Sequence, residues 1–96
     1  MDSRIVWSDD ALSDLRDVAE YIGRDRPSTA LRIGAALIDD VERLASFPES
    51  GRRVPDDPNL REIVHRQWRV FYRLEPDRTV TILRIWHAAR GEPPIS

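Results

Sequence analysis

The arginines of this 96-residue chain are its most evident candidates for chemistry. All 15 basic side chains are arginine, and nine of them fall in residues 51–96. Guanidinium groups gathered on one sheet face suit phosphate or carboxylate recognition, because arginine stays charged and offers paired donors. The alternative is that these side chains pair with the acidic first helix or are simply solvated. The candidates are Arg61, Arg66, Arg69, Arg73, Arg84 and Arg90.

Aromatic residues accompany these arginines in the same part of the sequence. Trp68, Tyr72 and Trp86 lie within the stretches that carry the basic residues. Aromatic rings beside guanidinium groups can stack with nucleic-acid bases. The pattern therefore allows base stacking on this surface as one hypothesis.

The chain has two histidines, and His87 is the stronger candidate for proton transfer. It ends the last predicted strand, and histidine changes charge near neutral pH, as a general acid or base requires. A histidine in such a position is also commonly a hydrogen-bonded structural residue, so both interpretations stay open. His65 is the weaker candidate.

Composition excludes several classes of site. The chain has no cysteine, which rules out disulfides, thiolate zinc sites, iron–sulfur clusters and thiol nucleophiles. Two histidines are too few for a histidine-rich metal site. No phosphate-binding glycine loop, nucleophile elbow or zincin motif is present. We therefore expect no metal and no cofactor.

Charge and hydropathy favour a single soluble domain over residues 1–96. The net charge of −2 combines −5 in residues 1–50 with +3 in residues 51–96, so an anionic partner would be attracted to the second half. The two halves could equally neutralise each other. The longest apolar run, Ala35–Ile38, is far shorter than the roughly 20 residues of a membrane span. With no apolar signal core near the N-terminus, we expect a cytoplasmic protein without a membrane partner.

Hydrophobic spacing predicts two amphipathic helices after a short strand, Arg4–Trp7. Ser8 is the expected N-cap of the first helix, and residues 23–27 break the pattern before the second. Two helices joined so closely form an antiparallel hairpin. The first apolar stripe is Leu12, Leu15, Val18, Ala19 and Ile22, and the second is Ala30, Ile33, Leu37, Val41 and Leu44.

The second half of the chain alternates with a period of two, which predicts strands. Residues 49–59 are expected to be a loop, followed by strands at 60–66, 68–75 and 79–87. In the last strand the alternation places Val80, Ile82 and Trp86 on one face, with Leu83 and Ile85 on the other. The predicted fold is α+β, in the order β-α-α-β-β-β, with the α-hairpin packed on one face of a small, mainly antiparallel sheet.

Five motifs follow one another along almost the whole chain. They are Ser8-x-x-Ala11-x-x-Asp14-Leu15, Leu44-Ala45-Ser46-Phe47-Pro48-Glu49-x-Gly51-Arg52, Leu60-Arg61-Glu62-Ile63-Val64, Trp68-Arg69-Val70-Phe71-Tyr72-Arg73-Leu74 and Ile82-Leu83-Arg84-Ile85-Trp86-His87-Ala88-Ala89-Arg90. In this order and at these spacings they resemble the RelE/ParE superfamily of type II toxin–antitoxin toxins. The resemblance implies a bacterial toxin neutralised by a cognate antitoxin that docks on the apolar faces of the hairpin and the sheet. Operator DNA would then be contacted only through the antitoxin.

The motifs are most similar to those of the ParE-like branch, and this resemblance implies that the protein inhibits DNA gyrase. This is a binding function, and the resemblance implies target or antitoxin contacts from Arg66, Arg73, Arg84, Trp68 and Trp86.

The first alternative is a RelE-like, ribosome-dependent mRNA endoribonuclease. It implies catalytic roles for Arg61, Arg69, His87 and Arg90. Two departures from that branch count against it: Ile63 occupies a position that is often basic, and the tail lacks a terminal tyrosine. The second alternative is a non-toxic member that only binds an antitoxin.

Overall fold

The computed structural model describes residues 2–55 and 57–94. Within these residues it confirms the predicted α+β fold, with two helices on one face of a five-stranded sheet. The elements are β1 (Ile5–Trp7), α1 (Asp9–Gly23), α2 (Pro27–Arg43), β2 (Arg52–Val54), β3 (Asp57–His65), β4 (Trp68–Leu74), β5 (Val80–His87) and a final 3-10 turn (Ala88–Arg90).

The helical hairpin begins as the sequence predicts, but α1 buries a different stripe. The Ser8 hydroxyl accepts a hydrogen bond from the Ala11 N–H at 3.0 Å, which caps the helix. The prediction was wrong for Leu12 and Ala19, which are exposed; the buried positions are Ala11, Asp14 and Val18. Residues 11, 14 and 18 follow the helical period, so the buried stripe includes a carboxylate that the apolar pattern passed over. Neither helix in the described ranges is both long and apolar enough to cross a membrane.

The sheet has the strand order β1-β5-β4-β3-β2, with β1 parallel to β5 and the other neighbours antiparallel. The loop prediction for residues 49–59 was wrong in part, because that segment contains β2 and the start of β3. In this hairpin Arg52 lies opposite Glu62. Pro58 is tolerated because β3 pairs with β4 only from Leu60 onward, so its missing N–H interrupts no ladder there.

A β-bulge in β5 reverses the predicted alternation. Phe71 pairs with Arg84 while Tyr72 pairs with Ile82, which leaves Leu83 as an extra residue. Ile85 therefore joins Ile82 beneath the helices, and Trp86 turns to the opposite face. The prediction that placed Trp86 with Ile82, and Ile85 with Leu83, was wrong for this reason.

The two faces of the sheet carry separate apolar clusters. The helix side holds the main core, built around Leu37, Val41, Tyr72 and Ile82. The other side, called the outer face below, holds a small cluster of buried Leu60, Phe71 and Trp86, with Val54 and Leu83 packed against it. The outer face thus has its own buried aromatic rings although neither α1 nor α2 covers it.

Tyr72 fastens the segment that follows α2 to the sheet. Its hydroxyl donates to the Pro48 carbonyl at 2.8 Å and accepts from the Gly51 N–H at 2.9 Å, and the side chain is fully buried. A Cβ atom at Gly51 would overlap the Tyr72 ring and hydroxyl. Arg61 strengthens the same attachment, because its Nη1 donates to the carbonyls of Glu49 and Gly51.

Candidate functional site

Five arginines lie on the outer face and are called the arginine face below. Residues directly opposite each other on neighbouring strands point to the same side of a sheet. Arg69 lies opposite Trp86, Arg84 opposite Phe71, Arg73 opposite Leu60 and Arg52 opposite Glu62. The fifth member, Arg90, reaches the same side from the 3-10 turn and covers the Trp86 ring. The arginine face is Arg52, Arg69, Arg73, Arg84 and Arg90.

Guanidinium groups close over the aromatic rings of this face. The Cζ atom of Arg69 lies 4.7 Å from the centre of the Phe71 ring. The Cζ atoms of Arg90 and Arg84 lie 4.1 Å and 5.2 Å from the centre of the Trp86 ring. Phe71 is 1% exposed and Trp86 7% exposed, so neither ring offers a face for base stacking.

Glu62 anchors two members of the arginine face. Its carboxylate is buried, accepts a hydrogen bond from Arg69 Nε at 2.8 Å and also contacts the guanidinium of Arg52. Burial by itself raises the pKa of Glu62, but the hydrogen bonds from Arg69 and Arg52 outweigh it and hold the pKa below the ordinary value of 4.5. Glu62 therefore remains charged and holds both guanidinium groups in place.

Asp14 is the second buried carboxylate, and it lies at the border of the arginine face. It accepts hydrogen bonds from Arg84 Nε at 2.8 Å, from Arg84 Nη2 at 3.0 Å and from the Ile85 N–H at 2.9 Å. The hydrogen bond with Asp14 is the main cause of the raised pKa of Arg84. Sequence reasoning did not select Asp14 as a site residue. An acidic residue spaced between the buried Ala11 and Val18 is the signal that could have found it, since a carboxylate there needs a partner.

Ser8 completes the attachment of α1 to this part of β5. Its backbone N–H donates to the Ile82 carbonyl at 3.0 Å, and its hydroxyl donates to the Leu83 carbonyl at 3.0 Å. The two acceptors lie beside the bulge, where β1 has ended at Trp7. Ser8 and Asp14 together satisfy backbone groups of β5 that have no strand neighbour there.

A cavity of about 540 Å³, called the hairpin cleft below, separates the end of the helical hairpin at which α1 and α2 are joined from the sheet. Trp68 and His87 form part of its wall, with ring centres 4.8 Å apart and nearly perpendicular. His87 Nδ1 accepts a hydrogen bond from the Ala89 N–H at 3.0 Å, which leaves the proton of the neutral ring on Nε2. The cleft is mainly apolar, and its apolar lining includes Val18, Tyr21, Ile22, Ile33, Trp68 and Ile85.

His65 lies in a separate and more open cavity of about 780 Å³ beside the end of β3. Its Nδ1 lies 3.2 Å from an Asp40 carboxylate oxygen, which links β3 to α2. Phe47 and Val64 also line this cavity, and both are more than half exposed. His65 therefore has a structural partner away from the arginine face.

The nine predicted site residues are distributed over four places in the fold. The arginine face holds Arg69, Arg73, Arg84, Arg90 and the buried Trp86. Trp68 and His87 belong to the hairpin cleft, which Arg90 also lines. The remaining two stand elsewhere: Arg61 is on the helix side beside Tyr72, and Arg66 is in the turn after β3 with φ of 55°.

The four residues implied by the endoribonuclease alternative are therefore not brought to one point. Arg61 is hydrogen-bonded to backbone carbonyls on the helix side, whereas Arg69 is paired with Glu62 on the outer face. His87 is on the helix side and Arg90 lies between the cleft and Trp86. The alternative that the arginines pair with the acidic first helix is confirmed for Arg84, which pairs with Asp14 of α1.

Comparisons with known proteins agree on the RelE/ParE superfamily. Residues 5–91 match the family model described as the ParE toxin of the type II toxin–antitoxin system parDE. Toxin RelE2 of Caulobacter vibrioides is 38% identical over 88 residues, which cover 92% of this chain and 98% of that protein.

Solved structures share the fold at lower sequence identity. The chromosomal ParDE system of P. aeruginosa contains a chain with a TM-score of 0.76 at 21% identity, over 88% of this chain and 95% of that one. The toxin–antitoxin complex RelBE2 of Mycobacterium tuberculosis contains one with a TM-score of 0.70 at 21% identity, over 91% and 99%. With a family model that spans nearly the whole chain, this protein belongs to the ParE toxin family, within the RelE/ParE superfamily of type II toxin–antitoxin toxins.

Proposed function

We propose that this toxin acts as a ParE-like inhibitor of DNA gyrase and that a cognate antitoxin neutralises it. The observation that carries the choice of target is the separation of Arg61 from Arg69 on opposite faces of the sheet. Cleavage of a phosphodiester bond needs a base, an acid and positive charge around one phosphorus atom. Guanidinium groups on two sides of a sheet do not serve one phosphate, and both already have partners.

The second candidate is a ribosome-dependent mRNA endoribonuclease. It is favoured by one specific observation, since His87 and Arg90 both line the hairpin cleft. In that reaction His87 Nε2 would exchange the proton, and Arg90 would neutralise the phosphate. The other arginine that lines the cleft is Arg26, which is exposed at the start of α2, and neither Arg61 nor Arg69 lines the cleft.

The antitoxin is assigned to the hairpin cleft. A segment that is disordered alone can fold as an amphipathic element on an apolar groove, and it gains affinity from a few apolar anchors. Tyr21 lines the cleft and is 76% exposed, so its ring is accessible to a partner that binds there. Operator DNA is then read by the antitoxin, which carries the toxin with it.

The test uses purified toxin in two parallel assays. It is expected to block supercoiling by gyrase or to trap gyrase–DNA cleavage complexes at micromolar concentration, and to leave mRNA on programmed ribosomes intact. Prior addition of the antitoxin should restore supercoiling.

Two outcomes would reject gyrase as the target. Cleavage of mRNA with no effect on gyrase, lost in His87→Gln, would establish the endoribonuclease. Normal growth after strong induction without antitoxin, together with inactivity in both assays, would identify a member that only binds its antitoxin.

A further inference from the structure

We propose that the arginine face contacts the phosphate backbone of duplex DNA directly, without reading its sequence. This goes beyond the proposed function, because it assigns a nucleic-acid contact to the toxin itself. It is tested by DNA binding alone and does not depend on gyrase.

Charge is segregated between the two layers of the fold. The two helices contain eight acidic residues and three arginines. The arginine face has five guanidinium groups against the carboxylate of Glu62, with Asp14 at its border, which leaves a net charge of about +3. A protein with a net charge of −2 therefore presents one clearly positive side. Phosphate backbones are bound mainly through such local positive charge.

The guanidinium groups of this face are held in position before any ligand arrives. Arg69 and Arg90 lie over buried rings, and Glu62 fixes Arg52 and Arg69. A fixed guanidinium loses less side-chain entropy when it binds an anion. The Arg52 side chain is nevertheless 76% exposed, so its charge remains accessible.

Two members of the face can take phosphate oxygens. Arg73 and Arg90 form no ion pair with a carboxylate among residues 2–55 and 57–94, unlike Arg69 and Arg84. Arg73 points to the outer face from β4, opposite Leu60. Substitutions at these two positions would remove charge from the face without breaking an ion pair of the described structure.

The burial of the aromatic rings favours duplex DNA over a single strand as the ligand. Proteins that bind single-stranded nucleic acid offer exposed rings on which successive bases stack. Here Phe71 and Trp86 are buried beneath guanidinium groups, and the Trp86 N–H is used by the Gly91 carbonyl at 3.1 Å. Guanidinium groups above closed rings suit backbone phosphates, which are contacted without base recognition.

The burial of Phe71 and Trp86 also argues against an acidic protein as the ligand of the arginine face. A protein interface needs apolar or aromatic anchors at its centre as well as charge at its rim. On this molecule the main apolar recess is the hairpin cleft, on the helix side of the sheet. At the centre of the arginine face the rings of Phe71 and Trp86 are covered, and its exposed apolar side chains, Val64 and the neighbouring Phe47, lie at one end beside Arg52.

The experiment measures binding of a short fluorescent DNA duplex by anisotropy at several salt concentrations. The wild-type toxin is expected to bind with an affinity that falls steeply as salt rises. The double variant Arg73→Gln/Arg90→Gln should bind at least about tenfold more weakly at low salt, and its salt slope should fall by about two units because two phosphate contacts are lost.

The matched control is Arg24→Gln/Arg32→Gln, which removes the same charge from exposed positions on the helical hairpin. It should bind the duplex within about twofold of the wild type, since non-specific affinity follows the phosphate contacts that are made. Circular dichroism and urea midpoints must show that both double variants are folded.

Three results would overturn the proposal. They are no binding of the duplex at the lowest salt, equal loss in the two double variants, and tighter binding of a single strand or a polyglutamate peptide than of the duplex. Duplex binding by a toxin that leaves gyrase unaffected would support this contact while rejecting the proposed target.

Discussion

The carboxylate of Asp14 lies 2.9 Å from the backbone nitrogen of Ile85, so a helix side chain takes the place of a strand neighbour on β5. The same carboxylate holds the guanidinium of Arg84 through two hydrogen bonds. Asp14 is 6% exposed and belongs to the inward stripe of α1. One buried charge therefore joins the hairpin, the edge of the sheet and the arginine face.

We expect Asp14→Ala to lower the free energy of unfolding by about 3 kcal/mol, because it leaves a partly buried guanidinium and a backbone N–H without their partner. Asp14→Asn should cost less, since its amide oxygen can still accept from Ile85. Urea denaturation measures both effects as midpoint shifts at a constant slope. The control Asp17→Ala removes an exposed carboxylate of the same helix, and a loss there as large as at Asp14 would contradict the argument.

Two glycine-to-alanine substitutions are expected to have opposite signs. Gly51→Ala should destabilise the protein by about 1–3 kcal/mol, because the new Cβ overlaps Tyr72 in a packed core. Gly34→Ala should stabilise it by about 0.5–1 kcal/mol, because nothing lies within 4 Å of a Cβ at that position in α2 and alanine favours a helix. Thermal and urea unfolding of the two variants check the signs. Stabilisation by Gly51→Ala would show that the Tyr72 attachment adapts without loss.

Acid is expected to weaken the protein partly through Glu62. Its pKa in the folded state is lowered because the hydrogen bonds from Arg69 and Arg52 outweigh burial, so the stabilisation is present above the ordinary pKa of 4.5 and is lost as the pH falls through the folded value. Glu62→Gln should therefore be less stable than wild type at neutral pH and lose less stability between about pH 5 and pH 3. Urea midpoints across this range measure the difference.

Some acid dependence should remain in Glu62→Gln. The pKa of Asp77 is lowered by a hydrogen bond from the Thr79 backbone, and that of Glu49 is lowered by a hydrogen bond from Arg78. Both carboxylates are exposed, so their contribution is small. A wild-type midpoint that does not change more steeply than that of the variant would rule out the role given to Glu62.

Antitoxin binding is expected to depend on Tyr21 and not on exposed apolar surface in general. Tyr21→Asp places a charge at the hairpin cleft and should weaken binding by at least about tenfold, since an apolar anchor would meet an unpaired carboxylate. Leu31→Asp is the matched control, because Leu31 is also 76% exposed but lies outside the cleft. Titration calorimetry with the cognate antitoxin compares them. Equal losses would place the antitoxin elsewhere on the hairpin.

The sequence was sufficient for the fold because the periods of its apolar residues are clear. The change from a period of 3.6 to a period of 2 separates the hairpin from the sheet, and Ser8 marks the start of α1 as predicted. The position of Trp86 could not be predicted, because strict alternation assumes one residue opposite each partner and Leu83 is an extra residue in β5. A bulge depends on how the strand pairs with its neighbour, and the residue pattern of one strand alone does not determine that pairing.

The residues of the site were harder to place than the strands that hold them. Arg61 and Arg69 look equivalent in the sequence, yet the first is bound to backbone carbonyls and the second to Glu62. Their difference depends on which side of the sheet each strand position faces, and on a loop attached by Tyr72. Asp14 was not predicted as a buried residue, because the inward side of α1 was identified from apolar residues alone.

The attachment of β1 has a consequence for how the chain folds. Ser8 and Leu83 are 75 positions apart, and the parallel ladder between β1 and β5 joins the same distant parts of the sequence. Closing such a long loop costs entropy before any contact repays it, whereas β3, β4 and β5 form from neighbouring turns. The meander and the hairpin should therefore assemble first, with β1 docking last. The Asp14–Arg84 pair would then form late on the folding pathway, and substitutions there should accelerate unfolding far more than they slow folding.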